Sequence, residues 1–160
     1  MPSLKHLEIS KLPTTLYHCS AYSNKELLRP GIKHTGKIVE WDNGESNEYL
    51  YATTDKEEAL SLGFATAIEH KYKLDRYTTK GNQITIASSD NILFKELSKL
   101  EFYLYSIQVK PEDGWIKNNN PNNQITTEWK TDQDISSFDA EKVDVHKWLK
   151  TKYITIKIEK

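Results

Sequence analysis

The sequence predicts an α+β fold, and three observations carry that reading. Gln83 to Ala87 and Tyr153 to Ile158 alternate polar and apolar residues with the period of half-buried strands. Phe102-Tyr-Leu-Tyr-Ser-Ile-Gln-Val109 is a run of β-formers closed by Lys110-Pro111, the signature of a central strand. One stretch, Asp55 to about His70, has helical spacing instead, with Ala59, Leu60, Phe64, Ala67 and Ile68 on one face. At 160 residues the chain matches the usual size of one domain, read here as residues 1–160 with an N-terminal arm over 1–13 and a core over 14–160.

The elements follow in order. Met1 to Pro13 has no sustained period and reads as a short helix or ordered extension on the surface. Thr14 to Ser20, rich in Thr, Leu and Tyr, reads as the first strand. Ala21 to Arg29 has room for one or two helical turns, stopped by Pro30-Gly31. Gly31 to Asn47 reads as a long exposed loop suited to a lid or a ligand-contacting wall. Glu48-Tyr-Leu-Tyr-Ala-Thr-Thr-Asp55 is a second short strand running into the helix, whose start is marked by Thr54 and Glu57 in capping-box spacing and by early acidic residues that favour the positive end of the helix dipole. Asp90 to Leu100 carries Ile92, Leu93, Leu97 and Leu100 at helical spacing. The polar stretch Asn118 to Asn123 excludes a helix, and Ile125 to Trp129 then reads as extended.

Composition narrows the function classes. With 22 Lys+Arg against 23 Asp+Glu, the net charge is −1, which disfavours broad binding to a phosphate backbone. A single Cys19 allows neither an internal disulfide nor a four-cysteine zinc site, and it suits a reducing, cytoplasmic home. No apolar run approaches about 18 residues, so no membrane partner is expected. The 5 His include no close ligand pair, so no metal is expected either.

Two stretches form the candidate site. Leu16-Tyr-His-Cys-Ser20 places His18 and two small polar residues at the end of an apolar strand, and Tyr51 lies near the end of the second strand. Strand ends are where accurate placement and ligand access coincide. Taken singly, His18 and Tyr51 are as readily half-buried structural residues, and Glu128 beside Trp129 as readily a solvated carboxylate.

These stretches together resemble the ordered motifs of the ADP-ribosyltransferase-like superfamily, in its diphtheria-toxin-like and rifampin-transferase-like branch. Tyr17-His18-Cys19-Ser20 is similar to its Tyr-His-Gly-Ser/Thr strand. Leu50-Tyr51-Ala52-Thr53-Thr54-Asp55, continuing to Leu60, is similar to its strand-to-helix motif. Phe102 to Ile107 and Thr127-Glu128-Trp129 match a later strand and a late acidic residue. The resemblance implies two small, strongly bent antiparallel sheets with packed helices and NAD as substrate, without a metal. It implies that His18, Cys19, Ser20 and Tyr51 bind the dinucleotide, with His18 on a ribose and Tyr51 stacked on nicotinamide. Glu128 and His18 are then the catalytic residues, and the acceptor is a protein, nucleic acid or small molecule. An ionised carboxylate suits the positive charge that builds on the ribose as the nicotinamide bond breaks. Cys19 stands where the family commonly has Gly, and Glu112, Asp113, Asp132 and Asp134 compete with Glu128 for the acidic role.

The alternative on the same fold is an inactive module that binds a nucleotide, RNA end or protein partner. RNA 2′-phosphotransfer ranks below both, since Arg29 and Arg76 are the only arginines. A cysteine hydrolase is weaker still, because His18 and Cys19 are adjacent on a strand and point to opposite faces.

Overall fold

A computed structural model describes residues 12–21, 26–41, 44–121 and 127–158. Nine strands and four α-helices are assigned among them: β1 (Thr15–Ser20), α1 (Ile32–Thr35), β2 (Leu50–Thr53), α2 (Lys56–Glu69), β3 (Leu74–Lys80), β4 (Gln83–Ser88), α3 (Phe94–Leu97), β5 (Tyr103–Gln108), β6 (Ile116–Lys117), β7 (Glu128–Thr131), β8 (Phe138–Lys142), α4 (Val145–Leu149) and β9 (Tyr153–Ile158). The result is a mixed α+β chain with two mostly antiparallel sheets. One sheet has six strands in the order β6-β7-β2-β1-β5-β8, and the other has three in the order β3-β4-β9. Among the described residues no helix is long and apolar enough to cross a membrane.

The chain contacts divide into two compact units, one from the described residues within 1–18, 24–59 and 105–139, the other from those within 19–23, 60–104 and 140–160. In the first, β2 pairs antiparallel with β7 in the register Leu50↔Thr131, Tyr51↔Lys130, Ala52↔Trp129 and Thr53↔Glu128. β6 extends the ladder through Ile116↔Lys130 and Lys117↔Trp129, and β1 joins at Tyr17↔Thr53. Opposed residues share a face. Leu50, Ala52 and Thr131 therefore form one buried side, and Tyr17, Tyr51, Thr53, Glu128 and Lys130 form the other. Leu28 and Ile135, both fully buried, exchange two backbone hydrogen bonds of 2.9 Å, so the part of the expected helix at Ala21 to Arg29 that is described is extended there; residues 22–25 lie outside the described residues. The partner's backbone groups at Ile135 outcompete local helix formation next to Pro30.

In the second unit, β4 is the centre of the small sheet, antiparallel to β3 and parallel to β9. The parallel pairing departs from the expected all-antiparallel sheets. β9 arrives after α4, and a connection containing a helix is what a parallel neighbour requires. β3, which the residue pattern did not announce, joins β4 through a two-residue turn in which Gly81 has φ 59°, and Gly-Asn is a hairpin dipeptide. The helix reading at Asp55 to His70 holds for its body, with Leu60, Phe64, Ala67 and Ile68 all buried. Its cap differs from the expected Thr54–Glu57 box. Asp55 Oδ1 accepts from the backbone N–H groups of Glu57 (3.0 Å) and Glu58 (3.4 Å), while Thr53 Oγ1 accepts from Asp55 N. A carboxylate at the first position offers a stronger acceptor than a Thr hydroxyl.

Phe64 is fully buried, with its ring 5.2 Å from Trp148 at 69° and 6.3 Å from Tyr77 at 67°. Trp148 in turn meets Phe102 edge-on. Such pairs are worth about 0.5–1.5 kcal/mol each beyond the area they bury. Gly63 is dictated by the same packing, because a Cβ there would lie 2.5 Å from Cys19 Cβ and 2.6 Å from the Phe102 ring. The helix expected over Asp90 to Leu100 shortens to one turn, with Ile92, Leu97 and Leu100 buried and Leu93 exposed. Of the arm expected over Met1 to Pro13, residues 1–11 lie outside the described residues, as do 122–126 of the polar stretch.

Candidate functional site

The site grows from the sheet face that carries Tyr51 and Glu128. β7 sets Glu128 opposite Thr53 and Lys130 opposite Tyr51, so two side chains far apart in sequence project from neighbouring rungs of one ladder. Glu128 is buried, an uncommon state for a carboxylate, and it survives through hydrogen bonding. Asn118, itself buried just after β6, donates from Nδ2 to Glu128 Oε1 at 2.9 Å and to Glu45 Oε1 at 2.7 Å. Asn120 Nδ2 adds a second bond to Glu45 Oε1 at 3.0 Å. Two buried carboxylates thus share one amide nitrogen.

Tyr51 is fastened to the segment that carries Glu45. Its hydroxyl donates to Ser46 O at 2.8 Å and accepts from Ser46 N at 3.1 Å. Burial raises the Tyr51 phenol well above its ordinary range, and the charges of Glu45 and Glu128 push it the same way, so this hydroxyl stays protonated. Burial also tends to raise the Glu45 carboxyl, but hydrogen bonds from Asn118, Tyr51 and Asn120 and the charge of Lys130 outweigh it and leave Glu45 below the usual range. The Lys130 ammonium rests over the Tyr49 ring, 4.5 Å from its centroid.

The segment from Gly31 to Asn47, expected to be a lid or wall, therefore supplies Glu45 and Ser46 to this face. It is braced by Asn47, whose side chain accepts from Val39 N at 2.7 Å and donates to Lys37 O at 2.9 Å.

His18 enters differently. β1 and β2 meet at Tyr17↔Thr53, and next along β1 the His18 ring reaches the backbone of β2, with Nδ1 2.7 Å from Tyr51 O. Because a carbonyl only accepts, Nδ1 carries the proton and the neutral ring keeps Nε2 as an acceptor. Burial lowers the His18 pKa, partly offset by this bond, which favours the neutral imidazole at pH 7. By strand alternation His18 starts from the face opposite Tyr51 and Glu128, and its ring contacts Tyr105 at 6.2 Å. The structure thus brings Tyr51 and Glu128 together on one face and ties His18 to Tyr51 through the backbone.

Cys19 and Ser20 complete β1, both half-buried. Cys19 Cβ is the atom that a side chain at Gly63 would strike, and burial pushes its thiol up to about 12. A thiol held there is no nucleophile at pH 7, which agrees with a packing role. Of the competing acids, Asp134 takes Lys33 at 2.8 Å and Arg29 at 3.6 Å, which hold it below the usual range, and Asp113 Oδ2 accepts from Lys110 N. Residue patterns missed Glu45, Asn118 and Asn120. No local signal distinguishes Asn118 from its neighbours Asn119 and Asn120.

Comparison of the chain with protein-family models, with curated proteins and with solved structures finds no match.

Proposed function

We propose that the protein cleaves the bond between nicotinamide and ribose in NAD, passing ADP-ribose to an acceptor or to water. The observation that supports this most is the buried Glu128 carboxylate on the same sheet face as Tyr51, one rung away, in the strand motifs that resemble ADP-ribosyltransferases. In this reading the C–N bond breaks with its electron pair leaving on neutral nicotinamide, and the anomeric carbon takes up positive charge. Glu128 stabilises that charge and Tyr51 offers its ring to the nicotinamide, while His18, which starts from the opposite sheet face, steadies the Tyr51 backbone through Nδ1. The acceptor or water then adds at the anomeric carbon and releases a proton to solvent.

Purified protein incubated with NAD is expected to release nicotinamide, measured by chromatography. Glu128→Gln should lower turnover by about 100–1000-fold with little change in dinucleotide affinity, since the charge acts mainly in the transition state. Tyr51→Ala should weaken affinity instead. One feature favours a second reading, a module that binds a nucleotide without cleaving it: the Tyr51 hydroxyl and Glu128 Oε1 already engage Ser46 and Asn118. Measurable nucleotide affinity with background nicotinamide release in the wild type would select that module.

A further inference from the structure

Asn118 is bound to Glu128 twice. Its backbone N–H donates to Glu128 O at 3.0 Å, and its side-chain Nδ2 donates to Glu128 Oε1 at 2.9 Å. Its remaining amide atom is also committed, since Oδ1 accepts from Asn120 N at 3.2 Å. The amide orientation is therefore set from both ends: turned over, it would aim an oxygen at two carboxylates. With one hydrogen for each carboxylate, Nδ2 holds Glu128 and Glu45 no further apart than two hydrogen bonds from a shared atom allow.

The choice of a neutral donor matters. Lys or Arg in this place would orient Glu128 equally well but would cancel the charge that a ribosyl cation needs. An amide fixes direction and leaves the negative charge in force. Of the nearby cations, Lys130 lies over the Tyr49 ring and its charge also acts on Glu45, and Lys117 Nζ donates to the backbone oxygen of Glu128 at 3.3 Å.

We propose that Asn118 is the positioning residue of the Glu128 carboxylate, holding it beside the second carboxylate of Glu45 in the direction that the ribose requires. This rests on the NAD-cleavage reading above. Without Asn118 the two carboxylates lose the donor they share, with Asn120 left on Glu45 alone, and the like charges favour protonation of one of them. The groups on this face that titrate or carry charge are Glu45, Glu128, Tyr17, Tyr51 and Lys130, with Lys117 at the Glu128 backbone and the Glu58 carboxylate accepting from Thr53 Oγ1 at 3.3 Å.

The test uses full-length Asn118→Ala and the double variant Asn118→Ala/Glu45→Gln, each checked for folding by thermal melting. Asn118→Ala is expected to lose tenfold or more in kcat with KM changed less than about twofold, and the acidic limb of its pH–rate profile should move up by about one unit. The double variant should regain part of that loss, because Glu45→Gln removes the opposing charge and introduces a side-chain amide that can donate in its place. A folded single variant with kcat and pH profile unchanged, or with KM and kcat falling together and no rescue, would overturn the proposal. A second measurement separates this from failure of the NAD reading. Carboxylate carbon NMR titration of Glu45 and Glu128 needs no substrate, and Asn118→Ala should raise one of the two by a unit or more. Unmoved titrations sink the positioning role, whereas moved titrations with no nicotinamide release from the wild type sink the NAD reading alone.

Discussion

The sheet face around Glu128 and the aromatic packing around Phe64 bury side chains for opposite reasons. At Phe64, Trp148, Phe102 and Tyr77 the buried groups are rings whose removal from water is itself favourable, and shape decides the detail, down to the missing side chain at Gly63. At Glu45, Asn118 and Glu128 burial works against each carboxylate, and directed hydrogen bonds offset the cost. Two carboxylates on one amide, with Glu45 held below its usual range, mark this face as a candidate site.

The contrast is broken most directly at Phe64. Phe64→Ala should cost about 3–5 kcal/mol of stability in denaturant titration, whereas Glu128→Gln, which removes one of two like charges, should leave the melting temperature unchanged or raised. If Glu128→Gln destabilises as much as Phe64→Ala, the Glu128 face is structural. Gly63→Ala is the next largest change. The new methyl would overlap Cys19 and Phe102, so about 1–3 kcal/mol should be lost, and Cys19→Ala in the same chain should not restore it, because alanine keeps the Cβ that the methyl meets and the Phe102 ring still stands in the way.

The smallest effect is a pH dependence. The native His18 pKa lies below its ordinary value of 6.5, so as pH falls through that value the unfolded chain binds a proton that the native ring resists. Stability should therefore decline from about pH 6.5 downward until the native ring also protonates, and His18→Gln should remove that limb. Glu45 adds a separate loss at lower pH. Its native pKa is depressed, so its contribution is complete above the ordinary carboxyl value of 4.5 and disappears as pH falls through the native one. A single acid transition unchanged by His18→Gln would show that the ring titrates as in the unfolded chain.

Residue patterns alone determined the body of α2, its buried face and the strands β1, β4, β5 and β9, because each is written locally, in a period of 3.6 or 2 that burial enforces residue by residue. They also singled out His18 and Tyr51, since strand ends carrying polar side chains are visible in one dimension, whereas Glu128 was picked out only by the family resemblance. Only the tertiary structure decided that β7 lies beside β2, that β9 runs parallel to β4, and that Asp55 rather than Thr54 caps α2. The same holds for Glu45 and Asn118. Both sit in polar stretches with no period, and a carboxylate or amide there looks solvated until the pairing of distant strands removes the water and leaves each as the other's partner.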